Sequence, residues 1–334
     1  MKYRLICVAA VFAISLAAAD QNSKNAIPRT PDGHPDLSGV WTNVTITPLE
    51  RPRNLEGKEF FTPQEVVAYE KEHQRNRDVR QRGTVADVAN AYNDFWWDSG
   101  TKVVKTRRTS MIVDPPDGRM PPLTPERQKQ LAAEAEAKRE RCKTPGCEVE
   151  NSGMPGPADR ASDRPLMERC LSFSNAVPML PTAYNNDYQI VQSSGMVAID
   201  VEMVHQVRWI PIDASSHLPS AVRTWLGNSR GHWEGDTLVI DTTNFNPEMS
   251  FRGSDENLHL IERLTRVDAD TIMYRFTVDD PTAFTKPWTG ELPMVKADGM
   301  LYEYACHEGN EGMMNILSSA RTDEKRAAAE AVKK

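Results

Sequence analysis

The chain has 334 residues and a formal net charge of −7 at neutral pH. An acidic chain lacks the basic surface that nucleic-acid binding requires, so we expect no nucleic-acid partner. Outside the N-terminal segment, no stretch is apolar enough to enter a membrane, and we expect no membrane span in the mature chain.

The first 19 residues have the pattern of a secretory signal peptide. Lys2 and Arg4 form a short positive start, and an apolar run extends from Leu5 to Leu16. Ala17-Ala18-Ala19 supplies the small residues that a signal peptidase requires. The run is shorter than the about 20 residues that a spanning helix needs. We therefore expect a periplasmic or secreted protein, with a retained N-terminal anchor as the alternative.

Four cysteines follow this segment, an even number that favours disulfides in an oxidising compartment. They are Cys142, Cys147, Cys170 and Cys306. Cys142 and Cys147 flank a turn-like Lys-Thr-Pro-Gly link and could close a small loop, which leaves Cys170 and Cys306 as a long-range pair. Sequence alone allows three pairings. Zinc is the competing interpretation, although no second close pair of cysteines or histidines completes a tetrahedral set.

Two helices are predicted in the N-terminal half. Thr62-Pro63-Gln64-Glu65 is a capping box with proline at the first helical position, and it opens a charged helix that ends near Arg80. Thr124-Pro125 opens a second helix that ends near Arg141. The apolar face of the second helix is mostly alanine and buries little area, so we expect this helix on the surface.

The rest of the sequence favours short strands separated by turns. Residues 20–36 are polar and predict a flexible lead-in. Gly39-Val40-Trp41 predicts a first strand whose tryptophan closes the base of a barrel. Further strands are predicted over Thr101–Thr106, Thr109–Val113, Asp187–Gln192, Met196–Ile212, Thr237–Asp241, Leu258–Val267, Thr271–Val278 and Leu301–Cys306.

Three segments have a recognisable pattern. They are WLGNSRGHWEGDTL at residues 225–238, FRGSDENLHL at residues 251–260 and YEYACHEGN at residues 302–310. These segments resemble a large group of uncharacterised secreted proteins from soil and aquatic bacteria, over residues 165–321 and parts of the N-terminal half. The resemblance implies a secreted protein and assigns no catalytic residue. Gly39-Val40-Trp41 also resembles the opening of lipocalins.

Many short strands and few helices predict a mainly β fold. We expect an antiparallel lipocalin-like barrel or curved sheet, with two N-terminal helices and long loops. Residues 37–321 are predicted to form a single domain, followed by a charged tail over residues 322–334. A barrel of this kind encloses a cavity for one small ligand.

Strand parity assigns faces to the candidate site residues. In a continuous strand over 196–212, His205 shares a face with Met203, Val207 and Trp209, and we expect that face to point inward. His205 is then either a functional group or a hydrogen-bonded core histidine. In the next hairpin, leucine-rich parity places Glu262 inside, where a carboxylate needs a partner. A structural ion pair with Arg208 or Arg252 is the preferred explanation for Glu262.

The function remains open between two leading classes, with a structural or surface-interaction module that uses its loops and acidic face as the third hypothesis. The first hypothesis is an exported enzyme acting on a small, partly apolar or aromatic molecule by hydrolysis, elimination or isomerisation. The alternative is a non-catalytic periplasmic binding protein that uses the same cavity. A cupin-like metal site formed by the three candidate histidines is possible, while no motif for an organic cofactor is present and the cofactor is left unassigned.

The candidate residues fall into two sets. The proposed catalytic side chains are histidines for proton transfer and arginines for a developing negative charge, with one carboxylate: His205, His259, His307, Arg208, Arg252, Arg263 and Glu262. The proposed ligand-binding side chains are Trp209, Trp233, Tyr304, Glu308 and Asn310. The last three, with His307, belong to a strand end that predicts either a site rim or a solvated polar turn.

Overall fold

The protein folds around one large antiparallel sheet. The computed structural model describes residues 27–78, 98, 100–142, 156–173, 176–213 and 215–333. The strands within these residues are β1 (Gly39–Thr42), β2 (Ile112–Asp114), β3 (Asp187–Gln192), β4 (Met196–Val201), β5 (Gln206–Pro211), β6 (Asn228–Glu234), β7 (Thr237–Thr243), β8 (His259–Asp268), β9 (Thr271–Asp279) and β10 (Trp288–Lys296). The helices are α1 (Pro63–Asp78), α2 (Pro125–Arg141) and α3 (Glu311–Val332).

The strand order makes the sheet a nearly closed barrel. Nine strands follow one another as β5-β4-β3-β1-β10-β9-β8-β7-β6, and β2 pairs with β10 beside this path. Because every neighbour is antiparallel, the first and ninth strands, β5 and β6, run in the same direction. They meet where Ile212 lies opposite Gly231 in a parallel bridge. A Cβ atom at Gly231 would collide with the side chains of Ile210 and Ile212, so glycine permits this close approach.

These features confirm the predicted mainly β, antiparallel architecture, which is consistent with a lipocalin-like barrel. The interior is filled by side chains that alternate inward along each strand, as in small barrels generally. The largest of these fully buried side chains are Trp41, Tyr188, Tyr274, Phe276 and Trp288. These side chains fill the axis of the barrel.

Trp41 packs inside the barrel near the end where Arg266 reaches the β8–β9 turn. It is fully buried, and its indole N–H donates to the carbonyl of Leu37 at 2.9 Å. The guanidinium of Arg266 lies 5.2 Å from the centre of the Trp41 ring. We call this end the base.

The described part of the N-terminal lead-in packs against the base. Arg29 pairs with Asp236 at 2.6 Å, and the ring of His34 stacks on Trp233 with 4.4 Å between ring centres. Residues 27–36 therefore make defined contacts, where the sequence predicts a flexible segment. The predicted signal peptide and residues 20–26 lie outside the described residues.

The opposite end of the barrel is its upper rim. Strands β1, β4, β7 and β9 end there, and β3, β5, β6, β8 and β10 begin there, as their antiparallel registers require. The connections at this rim are long: residues 43–111 follow β1, and residues 244–258 join β7 to β8. Long connections at one end can build a site without disturbing the sheet.

The predicted long strand over 196–212 is wrong. It divides into β4 and β5 at a turn through Met203–His205, where Val204 and His205 have φ values of 64° and 41°. The turn resets the strand parity, because alternation of faces holds only along unbroken extended backbone. Arg208 and Ile210 consequently point inward, whereas Trp209 points outward and is 64% exposed.

Several other predicted elements are absent, shorter or differently placed in the structure. Residues 101–106 and 301–306 form no strand, and of the strand predicted over Thr109–Val113 only Ile112 and Val113 belong to an observed strand, β2. Strand β10 was not predicted, because Gly290 and Pro293 interrupt its apolar pattern. The C-terminal helix α3 begins at Glu311, ahead of the predicted tail at 322.

Both predicted helices are confirmed. The backbone N–H of Thr62 donates to Glu65 at 2.8 Å and the N–H of Glu65 donates to the Thr62 hydroxyl at 3.3 Å, which completes the capping box of α1. The Thr124 side chain caps α2 by accepting from the N–H of Arg127. Across the described ranges, no helix is long and apolar enough to cross a membrane.

The predicted long-range disulfide is confirmed. Cys170 and Cys306 are bonded across a sequence separation of 136 residues. Cys142 is also disulfide-bonded. Cys147, its predicted partner, lies outside the described residues.

Candidate functional site

A cavity of about 620 Å³ lies at the upper rim of the barrel. Three connections at this rim form most of its wall, namely residues 45–49 after β1, residues 180–183 before β3 and residues 250–252 between β7 and β8. His73 of helix α1 and Met111 complete the described lining. The volume falls within the range of pockets that bind small molecules.

The wall of this rim cavity is mainly apolar. Its apolar side chains are Ile46, Pro48, Leu49, Met111, Leu180, Pro181, Ala183 and Phe251. Two of its threonines are already hydrogen-bonded within the protein: the Thr45 hydroxyl donates to the carbonyl of Lys102 at 2.9 Å, and the Thr47 hydroxyl accepts from the N–H of Val104 at 3.0 Å. These contacts fix the wall and leave few polar groups for a ligand.

Among the described lining residues, the Nε2 atom of His73 and the guanidinium of Arg252 make no hydrogen bond within the protein. The Nε2 atom of His73 is buried and makes no hydrogen bond. Arg252 is exposed at the rim, and no hydrogen bond or ion pair of its guanidinium occurs among the described residues. Its backbone has a φ of 56°, in a tight turn where Phe251 and Ser254 exchange two backbone hydrogen bonds of 2.9 Å.

A separate polar cluster lies on the outer face of β7 and β8. Asp241 accepts from two histidines, with Nε2 of His217 and Nε2 of His259 each 2.8 Å from a different carboxylate oxygen. His217 comes from the β5–β6 connection, and its Nδ1 atom lies 3.2 Å from Oδ1 of Asn228. The three side chains of this His–Asp–His cluster are partly exposed.

The cluster shifts the protonation of its members. The hydrogen bond from His259 to Asp241 raises the pKa of His259, and burial opposes that shift less strongly. Burial favours a higher pKa for Asp241, but hydrogen bonds and charges from His259 and His217 together outweigh burial and lower this pKa. A carboxylate that orients an imidazole is a recurring part of acid–base sites, and of structural ion pairs as well.

The predicted partnership of Glu262 with Arg208 is confirmed. Their side chains are 0% and 1% exposed and form an ion pair in the barrel interior. The hydroxyl of Tyr274 also donates to Glu262 at 2.7 Å. Such a fully buried, multiply bonded carboxylate is inaccessible to a ligand at the rim, which supports the structural explanation preferred from the sequence.

The three predicted histidines are not brought together. His205 is exposed in the β4–β5 turn, and its Nδ1 atom lies 2.6 Å from the carbonyl oxygen of Tyr304. His259 belongs to the His–Asp–His cluster, and His307 is exposed in the turn after Cys306. None of the three is a described lining residue of the rim cavity.

The other predicted residues are also dispersed. Arg263 points outward and donates to Glu234 at 2.8 Å, so it does not face a cavity. Trp233 contacts the lead-in at the base, and Glu308 is exposed. Asn310 caps helix α3 by accepting from the N–H of Met313. Of the predicted arginines, Arg252 alone is a described lining residue of the rim cavity.

A second cavity of about 380 Å³ follows the seam between β5 and β6. Trp209, Trp225 and Leu226 are among the residues that line it, together with Arg208. This seam cavity is smaller than the rim cavity and lies where the nine-stranded path fails to close.

Three residues that matter to these sites were not singled out from the sequence: His73, His217 and Asp241. Asp241 ends a predicted strand, and its outward parity could have suggested an exposed carboxylate. His217 lies in a connection without periodicity, and His73 lies on a charged helix. The residues that surround these three side chains are determined by the tertiary fold, and no local sequence pattern reveals them.

Within the described residues, no group of three or more His, Cys, Asp or Glu side chains is arranged to hold a metal ion. The predicted cupin-like set of His205, His259 and His307 does not converge in this part of the chain. Comparisons with protein-family models, with curated protein sequences and with solved structures found no match to the chain.

Proposed function

We propose that the protein binds a small apolar or aromatic molecule in the rim cavity and does not transform it. The supporting observation is the cavity itself: about 620 Å³, mainly apolar walls and few polar groups. This combination is typical of small-molecule sites, in which apolar contact supplies affinity and a few polar groups set orientation.

The packed interior supports the same location. Side chains from all sides of the barrel fill its axis, and the Arg208–Glu262 pair occupies part of it. A ligand at the rim displaces none of these groups. Moreover, the rim cavity contains none of the three predicted catalytic histidines among its described lining residues, which favours binding over catalysis.

A fluorescence titration tests this proposal. Phenylnaphthylamine is a neutral aromatic molecule whose emission rises in apolar surroundings, and we expect saturable binding to the wild-type protein. Ala183→Trp should fill part of the cavity and weaken binding about tenfold or more, because lost apolar contact costs affinity. Ala221→Trp is the matched control, since Ala221 is exposed in the β5–β6 connection.

Thermal unfolding of both variants checks that they are folded. Binding that Ala183→Trp weakens and Ala221→Trp leaves unchanged supports the rim cavity as the site. Equal binding by all three folded proteins would contradict the proposal.

Acid–base catalysis is the second candidate function. The His–Asp–His cluster favours it, because Asp241 orients His259 and raises its pKa while leaving the ring partly exposed. The reaction class would be hydrolysis, elimination or isomerisation of a small aromatic molecule. A panel of such substrates tests this: turnover that is lost in His259→Gln and retained in His232→Gln, an exposed histidine on β6, would support catalysis.

Export to the periplasm or beyond the cell is part of the proposal. The disulfide between Cys170 and Cys306 supports it, because such bonds persist in oxidising compartments. Mass spectrometry of the protein from a periplasmic fraction tests it. We expect a chain that begins at Asp20, and an intact Met1 on a cytosolic protein would contradict export.

A further inference from the structure

We infer that the ligand of the rim cavity carries a single anionic group, which the guanidinium of Arg252 binds at the rim while Nε2 of His73 contacts a polar atom of the same ligand. This inference rests on the proposed binding function and names the chemical class of the ligand: an apolar or aromatic body with one carboxylate or sulfonate.

Among the residues that the structure describes, Arg252 forms no ion pair. The nearest acidic residues along the chain are already paired: Asp255 lies 3.0 Å from Arg127, Glu248 lies 2.6 Å from Arg169, and Glu256 lies 3.5 Å from Arg223. The Phe251–Ser254 turn holds Arg252 at the rim through backbone hydrogen bonds, so its position does not depend on a side-chain partner. An unpaired guanidinium beside an apolar cavity is suited to a carboxylate or sulfonate, which it binds with two parallel hydrogen bonds.

His73 supplies a second, independent observation. Its Nε2 atom is buried and unpartnered in the wall of the same cavity. A buried polar atom without a hydrogen bond is destabilising, and most such atoms in proteins have a protein or water partner. A polar atom of the ligand would provide the missing hydrogen bond.

The charge of the lining limits the ligand to one anionic group. Arg252 is the one arginine, and no lysine, aspartate or glutamate occurs, among the described residues that line the cavity. A second negative charge would enter mainly apolar surroundings without a partner, which is strongly unfavourable. A neutral ligand would leave Arg252 unpaired.

Two related fluorescent probes distinguish a failure of this inference from a failure of the proposed function. Anilinonaphthalene sulfonate has the aromatic framework of phenylnaphthylamine plus one sulfonate, and both report binding by fluorescence. Arg252→Gln should weaken sulfonate binding about tenfold, the effect of losing a charge-assisted hydrogen bond, and change phenylnaphthylamine binding less than about twofold. His73→Leu should weaken sulfonate binding about threefold, the effect of losing a neutral hydrogen bond.

Arg107→Gln is the control for charge. Arg107 is also exposed and has a positive φ of 61°, but it does not line the cavity. The inference is supported if Arg252→Gln weakens binding of the sulfonate and Arg107→Gln does not. If both probes bind and Arg252→Gln leaves the affinity for the sulfonate unchanged, the inference of an anionic ligand is contradicted. The proposed binding function is then unaffected. If neither probe binds, or Ala183→Trp weakens neither, the proposed function itself fails.

Discussion

Arg208 of β5 and Glu262 of β8 form a buried ion pair between strands that are not neighbours in the sheet. One Arg208 nitrogen donates to Oε1 of Glu262 at 3.1 Å, and a second donates to Oε2. Burial is the largest influence on the pKa of Arg208 and acts to lower it, but the charge and the hydrogen bonds of Glu262, with smaller contributions from Tyr274 and Tyr188, together outweigh burial and raise it. The two sides of the barrel are thus linked through its interior by a buried charge pair.

Removal of one partner should be strongly destabilising. Glu262→Leu leaves the Arg208 guanidinium buried without a counterion, and we expect a loss of about 3–5 kcal/mol in the free energy of unfolding. The double variant Arg208→Met with Glu262→Leu should recover most of this loss, because neither charge remains. Urea unfolding followed by tryptophan fluorescence measures both. A double variant that is less stable than Glu262→Leu alone would show that the charges are not coupled in this way.

The His–Asp–His cluster should make stability depend on pH. The raised pKa of His259 means that its contribution is complete below the pKa of an unfolded histidine and is lost as pH rises through the folded value. The lowered pKa of Asp241 means that its contribution is lost as pH falls through the folded value. Both contributions are therefore complete in the interval between the unfolded pKa of aspartate and that of histidine, roughly pH 4 to 6.5, and each declines outside it.

Asp241→Asn tests this interval. We expect it to cost about 1 kcal/mol near about pH 6 and less near about pH 9, since the groups are partly exposed and solvent screens them. Glu248→Gln is the control, because it removes one carboxylate from an ion pair, with Arg169, that contains no histidine. The measurement is chemical unfolding at both pH values. If Asp241→Asn lowers the free energy of unfolding equally at the two pH values, the coupling between Asp241 and His259 is contradicted.

The disulfide between Cys170 and Cys306 should stabilise the folded state through the long loop that it closes. Because the two cysteines are separated by 136 positions in the sequence, we expect Cys170→Ser with Cys306→Ser to lower the free energy of unfolding by about 2–5 kcal/mol. Urea unfolding of the oxidised proteins measures the difference. A double variant as stable as the wild type would mean that the bond adds no constraint to the unfolded chain.

Arg266 should be essential to the base of the barrel. Its guanidinium lies over Trp41 and donates to the backbone carbonyls of Asp36, Asp268 and Ala269. Arg266→Met removes these donors from buried surroundings, and we expect a loss of about 2–3 kcal/mol. Arg275→Met, at a half-exposed site on the outer face, should cost less than about 0.5 kcal/mol. Comparable losses for the two variants in thermal unfolding would contradict this role.

The regular part of the sheet could be predicted from the sequence because local patterns determine it. The β8–β9 hairpin follows from alternating apolar residues around Asp268-Ala269-Asp270, and β3 from its alternation between two turns. The predicted alternation of faces failed at Val204, because a β-branched residue with positive φ is rare and no sequence pattern predicts it. One unexpected turn reversed the expected exposure of Trp209.

The candidate sites could be predicted only in part, because distant segments build them. The rim cavity joins His73, Leu180 and Arg252, whose proximity depends on three separate connections. The sequence identified Arg252 as a candidate for binding negative charge, but it did not predict the cavity that Arg252 lines. Likewise, His259 was selected without its partner Asp241, since the β7–β8 register and the path of the β5–β6 connection bring them together.

The crystal structure of the protein with phenylnaphthylamine bound would test the binding proposal most directly. We predict density for the ligand in the rim cavity, between Leu180 and Phe251 and within reach of Arg252. Density in the seam cavity beside Trp209 and Trp225, with the rim cavity empty, would contradict the assignment of the rim as the binding site.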